Sequence, residues 1–439
     1  MLTYWYLLCQ SKPEYDENIA DDVGEVKTLK DKDLEMTAGM ALIFSAASGL
    51  AVGNLYWAQP LLAAITADFG APPSQGGFLV TATQLGYALG ILLIVPLGDI
   101  LERRKLLITV MLLTVAGLLC SAVASSFAGL AISLGALGIV TVSGQIILPL
   151  VGDLAAENER GRMVGIVSSG ITSGILFSRL LSGLVADLWD WRSIYIMAAV
   201  LNLVMVAVIF LYLPKVPAGE KVSYGKLLSG VFTAVKRYPK MRGILLKQGM
   251  IFGIAFNLFW TALTFLLSAP PFSYSTFQIG LVSLAGLTGA IAGTRLGTLE
   301  DNGWGQKGMA IFIGLCAASM TLAAMGAESI VVVLLAAAVF SLAVQGVGIL
   351  CQSQLFALSD SERSRLNTAF VVSNFLFCAI GSSLAAFFWN LGGWGMAMAG
   401  AVTASLIALG VHFYVKKALV FALSVALIGC VGCSFGINR

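Results

Sequence analysis

The sequence predicts an all-α membrane protein made of two related six-helix bundles. Three observations support this fold class: the composition, the spacing of apolar runs and an internal repeat. Of the 439 residues, 58% are hydrophobic and only 11% are charged, with a mean hydropathy of +0.90. Soluble domains carry about 25% charged residues. A chain this apolar cannot cover its surface with polar groups, so we expect its solvent to be lipid.

Apolar runs long enough to span a bilayer recur along the chain. A hydrocarbon core about 30 Å thick needs about 20 apolar residues in a helix that rises about 1.5 Å per residue. Twelve such runs, numbered here as spans 1 to 12, lie at 38–63, 76–97, 106–127, 129–152, 163–185, 193–213, 243–267, 276–296, 308–326, 329–357, 366–388 and 395–414. They form two groups of six, which predicts a polytopic protein with twelve spans.

The charges of the loops predict the orientation, because cytoplasmic loops of membrane proteins are rich in Lys and Arg. Loops after even-numbered spans hold basic clusters, for example at 103–105 and 160–162, whereas the odd-numbered loops together hold only Arg192. We therefore expect a multi-pass protein of a bacterial-type inner (plasma) membrane. Its N-terminus and both ends of the twelve-span body are expected in the cytoplasm.

The two groups of spans share loop sequences at a constant offset. The loop after span 4 reads ENERGR over 157–162, and the loop after span 10 reads DSERSR over 360–365, which lies 203 positions later. Trp191 before span 6 and Trp394 before span 12 are separated by the same distance. This pattern predicts a duplicated six-helix unit, with pseudo-symmetric halves related by an axis along the membrane normal.

These features divide the chain into five predicted regions. The regions are a polar tail at 1–35, a first bundle at 36–213, a cytoplasmic linker at 214–242, a second bundle at 243–417 and an appended apolar segment at 418–439. The tail holds nine of the 23 acidic residues, and this composition is typical of disorder. A surface helix is expected around 227–234. The stretch 418–437 is long enough for either a thirteenth span or an interfacial helix.

The loop after span 2 carries the most specific motif. It reads LGDILERRK from Leu97, and it matches the pattern G-x-L-A-D-R-x-G-R-R at Leu97, Asp99, Arg103 and Arg104. Over about 36–417 the chain resembles the major facilitator superfamily of transporters, most of all the twelve-span drug:proton antiporter branch. The outer end of span 1, which reads YWAQPLL, is similar to the same branch. The resemblance implies the major facilitator fold.

The resemblance also implies a function. We expect a secondary active transporter rather than an enzyme, with proton-coupled efflux of a small organic solute or drug. Uptake or facilitated diffusion of a small neutral or anionic solute on the same fold is the alternative. Protons are the expected coupling ion, without a cofactor, metal site or catalytic residue. The expected partners are the solute and the bilayer, and the protein is expected to be monomeric. Basic residues scattered over loops exclude a nucleic-acid binder.

In the family, the loop motif latches the inner face of the protein closed. The resemblance therefore implies a cytoplasmic gate at Asp99, Arg103 and Arg104, with Asp301 as the second copy, 202 positions after Asp99. An Asp at a helix end can pair with a basic residue or a helix N-terminus of a neighbour. The alternative is that these charges only determine the topology of the loops.

Two departures from the antiporter pattern leave efflux and uptake both open. Arg179 stands where the span 5 motif G-x-x-x-G-P-x-x-G-G has its proline, and the family's span 4 arginine is missing. No Asp or Glu lies in the middle of a span. Charged groups inside a bilayer are costly and usually functional. The absence of a buried carboxylate favours uncharged or anionic solutes over lipophilic cations.

Polar side chains inside the spans are the candidate substrate or coupling residues. Arg179 lies roughly 24 Å along span 5, where it can face a central cavity and bind an anionic group, or snorkel to the interface. The resemblance assigns substrate contacts to spans 1, 2, 4, 7 and 11, among others. Their polar candidates are Asn54, Gln84, Gln145, Asn257 and Asn374. For each of these five, the alternative is an interhelical hydrogen bond that only supports packing.

Overall fold

A computed structural model describes residues 37–156, 159–213, 223–289, 291, 305–359 and 362–435, with the backbone alone from 415 onward. These residues are nearly all helical, and none of them forms a strand. The all-α fold class is therefore confirmed. The predicted tail at 1–35, the first part of the linker and Asp301 lie outside the described residues.

The first half contains the helices of predicted spans 1 to 6. In chain order they are Ala38–Gly53, Gln59–Leu61 and Leu62–Asp68 for span 1, Pro73–Gln75, Gly76–Leu93 and Val95–Asp99 for span 2, Arg103–Ala122 for span 3, Phe127–Val140 and Ser143–Leu154 for span 4, Arg160–Leu188 for span 5 and Trp191–Tyr212 for span 6. The short segments Gln59–Leu61, Pro73–Gln75 and Val95–Asp99 are 3-10 turns. Span 1 is interrupted between Gly53 and Gln59, and span 4 is interrupted between Val140 and Ser143. Both interruptions lie inside the apolar runs.

The second half follows a linker helix, Tyr224–Arg237. Its helices are Pro239–Gln248, a π-helical turn Gly249–Ala255 and Phe256–Ser268 for span 7, Thr276–Val282 and a 3-10 turn Ser283–Gly286 for span 8, Gly305–Met325 for span 9, Ile330–Phe356 for span 10 and Arg363–Phe435 for the remainder. The last helix bends at Gly392 and Gly393, where the backbone is not helical, and Gly393 has a positive φ of 62°. Glycine tolerates this conformation, and the bend lies between predicted spans 11 and 12.

Nine helices of the described residues are long and apolar enough to cross a membrane. Two shorter apolar helices, Ala38–Gly53 and Thr276–Gly289, lie in predicted spans 1 and 8. The ninth long helix, Arg363–Tyr414, includes the glycine bend. The count of twelve spans stays a prediction, as does the membrane role of 418–437, where the backbone is helical as far as Phe435.

The interruptions of spans 1 and 4 lie side by side and share hydrogen bonds. The Asn54 side-chain amide donates to the Thr141 hydroxyl at 2.9 Å, and that hydroxyl donates to the carbonyl of Ala51 at 2.8 Å. Trp57 Nε1 donates to Asn54 Oδ1 at 2.8 Å. Backbone and side-chain polar groups inside a membrane protein need such partners, because lipid offers none. These bonds hold the broken ends of the two helices together.

Glycines let neighbouring helices approach closely in the first half. A Cβ atom on Gly174 of span 5 would overlap the carbonyl of Gly49 in span 1, and one on Gly138 of span 4 would overlap the carbonyl of Thr83 in span 2. Small residues at helix contacts are how membrane helices reach close van der Waals packing. Span 5 is thereby held against span 1.

Candidate functional site

A small cavity lies between the two halves. It is lined by Gln59 and Pro60 of span 1, Arg179 of span 5, Trp260, Leu263 and Thr264 of span 7, and Ile279 and Ser283 of span 8. In this conformation the cavity has room for about one water molecule. A bound solute therefore requires the halves to separate.

Arg179 projects into this interface and is only 3% exposed. Its guanidinium carbon lies 5.0 Å from the ring centre of Tyr56, 4.7 Å from that of Trp260 and 5.9 Å from that of Phe256. These distances are typical of cation–π contacts. We call the four residues the Arg179 cage. Since Tyr56 belongs to the first half and the other two rings to the second, the guanidinium sits between the halves.

The backbone around Arg179 explains this placement. A Cβ atom on Gly280 of span 8 would lie 2.7 Å from the carbonyl oxygen of Arg179, so the two helices are in backbone contact there. The hydroxyl of Ser182 donates to the same carbonyl at 3.3 Å. Span 8 packs on one face of span 5 there, and the side chain of Arg179 extends towards Tyr56 of span 1 and Trp260 of span 7.

Several hydrogen-bonding atoms of the cavity have no partner. They are Nε and Nη2 of Arg179, Nε1 of Trp260 and both amide atoms of Gln59. Their residues are each less than 5% exposed. An unpaired buried polar group costs about 1–3 kcal/mol, and a charged one costs more. Such groups concentrated in one cavity indicate a ligand site, because a ligand can supply the missing acceptors, and a donor for Gln59 Oε1.

A second polar contact between the halves lies nearer the middle of the spans. The Gln84 amide of span 2 donates to Asn257 Oδ1 of span 7 at 3.2 Å, and Asn257 Nδ2 donates to the carbonyl of Gly253 at 3.1 Å. Gln84 Oε1 is buried without a partner, as is Asn374 Oδ1 of span 11. The structure therefore brings Gln84 and Asn257 together. The side-chain oxygen of Asn374 accepts no hydrogen bond from the described residues.

The other two polar candidates lie within the first half. Gln145 Nε2 donates to the hydroxyl of Tyr87 at 3.2 Å, and the Tyr87 ring meets that of Phe375 from the second half at 4.5 Å. Asn54 uses both ends of its amide at the helix interruptions. Asn54 is thus occupied by packing in this conformation, while Gln145 reaches the interface only through Tyr87.

The predicted gate residues form an ion-pair cluster. Arg103 Nη1 lies 2.6 Å from Asp153, and Arg103 Nη2 lies 3.7 Å from Asp99. Arg104 Nη2 donates to the carbonyl of Phe210 at 2.5 Å. All of these contacts stay within the first half, so the role of the motif as a latch between halves stays a prediction. Asp153 was not among the predicted gate residues, although its place at the end of span 4, on the predicted cytoplasmic side, was a usable signal.

On the opposite side of the membrane, a contact that the sequence did not reveal joins spans 5 and 8. Backbone N–H groups of Thr276 and Phe277 each donate to the Asp187 carboxylate at 3.1 Å. The Thr276 hydroxyl contacts both this carboxylate and the carbonyl of Gly183. We call these four residues the outer clasp. A carboxylate is favourable there, because a helix N-terminus carries partial positive charge.

The other residues around Arg179 and its cavity were partly signalled by the sequence. Tyr56 and Gln59 belong to the YWAQPLL stretch that resembles the efflux branch. Trp260 lies one turn from Asn257, on the same helix of span 7. Which of their side chains meet Arg179 depends on how spans 1, 5 and 7 are rotated about their axes, and a single sequence does not contain that information.

Comparison with known proteins identifies the family. A sequence model of the Major Facilitator Superfamily matches residues 41–386. The chain is 36% identical over 373 residues to the uncharacterized transporter YgaY of Escherichia coli O157:H7, covering 84% of this chain and 94% of that protein. It is 31% identical to a probable transporter of Streptomyces coelicolor, covering 81% and 83%.

A solved structure agrees with these matches at the level of the fold. The inward-facing, occupied crystal structure of a bacterial homolog to the human lysosomal transporter Spinster superimposes with a TM-score of 0.70. The two sequences are 13% identical, and the alignment covers 86% of this chain and 96% of that chain. With the family match over most of its length, this chain belongs to the Major Facilitator Superfamily of membrane transporters.

Proposed function

We propose that the protein is a secondary active transporter that exports a small organic solute across the inner membrane in exchange for protons. The observation that carries the proposal is the cavity between the halves, where unpartnered polar atoms of Arg179, Trp260 and Gln59 meet. A site formed by both halves is what alternating access requires, because the solute stays in place while the halves rock around it.

The outer clasp fits this cycle as the element that closes one side. Asp187 and Gly183 belong to span 5, whereas Thr276 and Phe277 begin span 8. Breaking these contacts would separate the outer ends of two helices that both line the cavity. Rigid-body movement of bundles about such contacts is a common form of conformational switching.

Proton exchange and export are supported by the antiporter-like motif after span 2, with Asp99, Arg103 and Arg104 in their family positions. We propose in the same way that the protein acts as a monomer without enzymatic activity and that its N-terminus is cytoplasmic. The second candidate is an uptake or facilitated-diffusion permease. Arg179 in place of the antiporter proline is the observation that favours it.

Everted membrane vesicles with an imposed pH gradient test the proposal. Solutes are first selected by comparing the growth of overexpressing and deletion strains on drugs, sugars and purine analogues. We expect vesicles that contain the protein to accumulate at least one selected solute, and to lose it when an ionophore collapses the gradient. Vesicles without the protein are the control. Accumulation that ignores the gradient for every transported solute would contradict proton exchange, and flux only into whole cells would favour the permease.

A further inference from the structure

Arg179 is a buried cation for which the described residues provide no acidic partner. Its recorded contacts are the rings of Tyr56, Phe256 and Trp260. Aromatic faces attract a cation, but they accept no strong hydrogen bond from its N–H groups. A charge taken out of water is costly unless it is paired and hydrogen-bonded. The cage therefore lacks an anion.

The positions of the unpartnered atoms indicate which anion fits. Nε and Nη2 of Arg179 form one edge of the planar guanidinium, and their N–H bonds point the same way. Two parallel donors on one edge match the two oxygens of a carboxylate in a bidentate pair. Because Nε and Nη2 are the two fully buried nitrogens of Arg179 without partners, the buried edge of the guanidinium is the one that binds carboxylates side-on.

The remaining donors of the cavity complete the match. Trp260 Nε1 and the Gln59 amide are buried without partners and line the same cavity as Arg179. An ionised carboxylate has about four lone-pair sites and no donor. Two N–H groups from Arg179, one from Trp260 and one from Gln59 equal these sites in number. A neutral amide has an NH₂ group in place of one carboxylate oxygen. Its N–H groups would face the N–H donors of the cavity, so about half of the hydrogen bonds would be lost.

Apolar side chains also line the cavity. Leu263 and Ile279 line it together with Pro60, and the rings of Tyr56 and Phe256 border the guanidinium. Burial of apolar surface would therefore favour a solute with an aliphatic or aromatic body. An inorganic anion has no such body, and an organic cation would be repelled by Arg179.

From these observations we propose that the transported solute is a small organic carboxylate, bound through its carboxylate by Arg179, Trp260 and Gln59. The inference rests on the proposed transport function and specifies its substrate class. It assigns the cage as the anion subsite of the cavity.

Thermal unfolding of the purified protein in detergent tests the binding step with defined probes. Three matched pairs are used: benzoate and benzamide, hexanoate and hexanamide, and indole-3-acetate and indole-3-acetamide. A ligand that binds only the folded protein raises the unfolding temperature. We expect at least one carboxylate to stabilise the wild type, and its amide to do so much less. Chloride and inorganic phosphate form the inorganic arm, and neither should match the organic acids.

Variants assign the effect to the cage. Arg179→Gln should weaken carboxylate binding by about thirtyfold or more, which is the usual result of removing one partner of a buried charge pair. Arg179→Lys keeps the charge but loses the fork, so its loss should be smaller. Arg192→Gln is the matched control, because Arg192 pairs with Asp68 outside the cavity. Carboxylate binding by this variant should equal that of the wild type. If Arg179→Gln does not fold, Trp260→Phe keeps an aromatic ring at this position and removes the Nε1 donor together with part of the indole.

Three results would overturn the substrate class. They are no stabilisation by any carboxylate, equal stabilisation by acids and amides, and equal stabilisation by phosphate. Flux in proteoliposomes separates this failure from that of the transport proposal. Movement of neutral solutes, with no binding or movement of carboxylates, would leave transport intact and refute the anion subsite. Carboxylates that bind in an Arg179-dependent way but never move would instead refute the transport proposal.

Discussion

Two arginines of the first half show opposite ways of holding a charge in a membrane protein. Arg103, at the start of the span 3 helix, donates to the Gly98 carbonyl at 3.1 Å and lies 2.6 Å from Asp153. Arg179, inside span 5, has aromatic neighbours and two unpartnered nitrogen atoms. The first charge is satisfied by the fold, whereas the second is left unsatisfied by it.

This difference between Arg103 and Arg179 indicates which of the two arginines can have a role in binding. A satisfied ion pair near the surface stabilises a loop and needs nothing further, and its net contribution to stability is small. An unsatisfied buried cation raises the free energy of the folded state, and it persists when the surrounding structure is constrained by function. Of these two arginines, Arg179 is therefore the one that we expect to bind a ligand.

The largest expected effect is on transport. Arg179→Leu should lower carboxylate flux in proteoliposomes by about a hundredfold, because the solute loses its charged partner in a buried site. Arg103→Leu should lower it much less if the gate motif acts only on the loops. Initial rates at equal amounts of reconstituted protein measure both effects. A rate for Arg179→Leu within about twofold of the wild type would remove Arg179 from the transport site.

The same pair of variants should differ in stability with the opposite sign. Replacement of buried charged groups by apolar residues is often stabilising, by about 1–4 kcal/mol, so Arg179→Leu should raise the unfolding temperature in the absence of solute. Arg103→Leu should lower it slightly, since Asp153 and Asp99 lose their partner. Thermal unfolding in detergent measures both. A lower unfolding temperature for Arg179→Leu would mean that the fold already satisfies Arg179.

This comparison also separates what the sequence could predict from what it could not. The all-α class and most helix positions follow from runs of about 20 apolar residues, a property of composition. The environment of Arg179 does not follow from them, because snorkelling and cavity-facing arginines have the same sequence signal. Their difference depends on the backbone contact at Gly280 and on the rotation of span 5.

The polar candidates illustrate the same limit. Gln84, Asn257 and Asn54 were selected by the same criterion, a polar side chain inside an apolar run. Gln84 and Asn257 meet across the interface, while Asn54 braces the interruptions of spans 1 and 4. An interruption inside an apolar run leaves no hydropathy signal, so the sequence alone leaves open both the packing role and the substrate role of Asn54.

Two carboxylates accept hydrogen bonds from backbone N–H groups at the start of a helix. Asp187 accepts from span 8 across the halves, whereas Asp190 accepts from Ser193 at the start of span 6, within one half. A charge at a helix N-terminus is worth about 0.3–1 kcal/mol. Asp187→Asn should therefore increase the outward-open population about two- to fivefold, while Asp190→Asn should leave it unchanged.

Accessibility from outside measures this population. Ser283 lines the cavity, and a cysteine introduced there by Ser283→Cys reports opening by its rate of labelling with a membrane-impermeant maleimide. The protein without this cysteine gives the background. Equal labelling rates in the Asp187→Asn and Asp190→Asn backgrounds would show that the outer clasp does not control the outer side.

The smallest expected effect concerns a surface ion pair that depends on pH. Arg192 donates to the Asp68 carboxylate at 2.7 Å, and Trp191 Nε1 donates at 3.2 Å. The hydrogen bond from Arg192 is the main reason that the pKa of Asp68 is lowered. A carboxyl with a lowered folded-state pKa contributes stability above its unfolded pKa of about 3.9, and loses it as the pH falls through the folded-state value.

Arg192→Gln should therefore destabilise the protein at neutral pH by no more than about 1 kcal/mol, since the pair is solvent-exposed. The difference in unfolding temperature between variant and wild type should shrink as the pH falls below about 4, because Asp68 is then increasingly protonated in both proteins. Thermal unfolding scans at matched ionic strength measure this difference in unfolding temperature. A difference that stays constant down to low pH would mean that Arg192 acts through its packing on Trp191, 4.2 Å from the ring centre, rather than through Asp68.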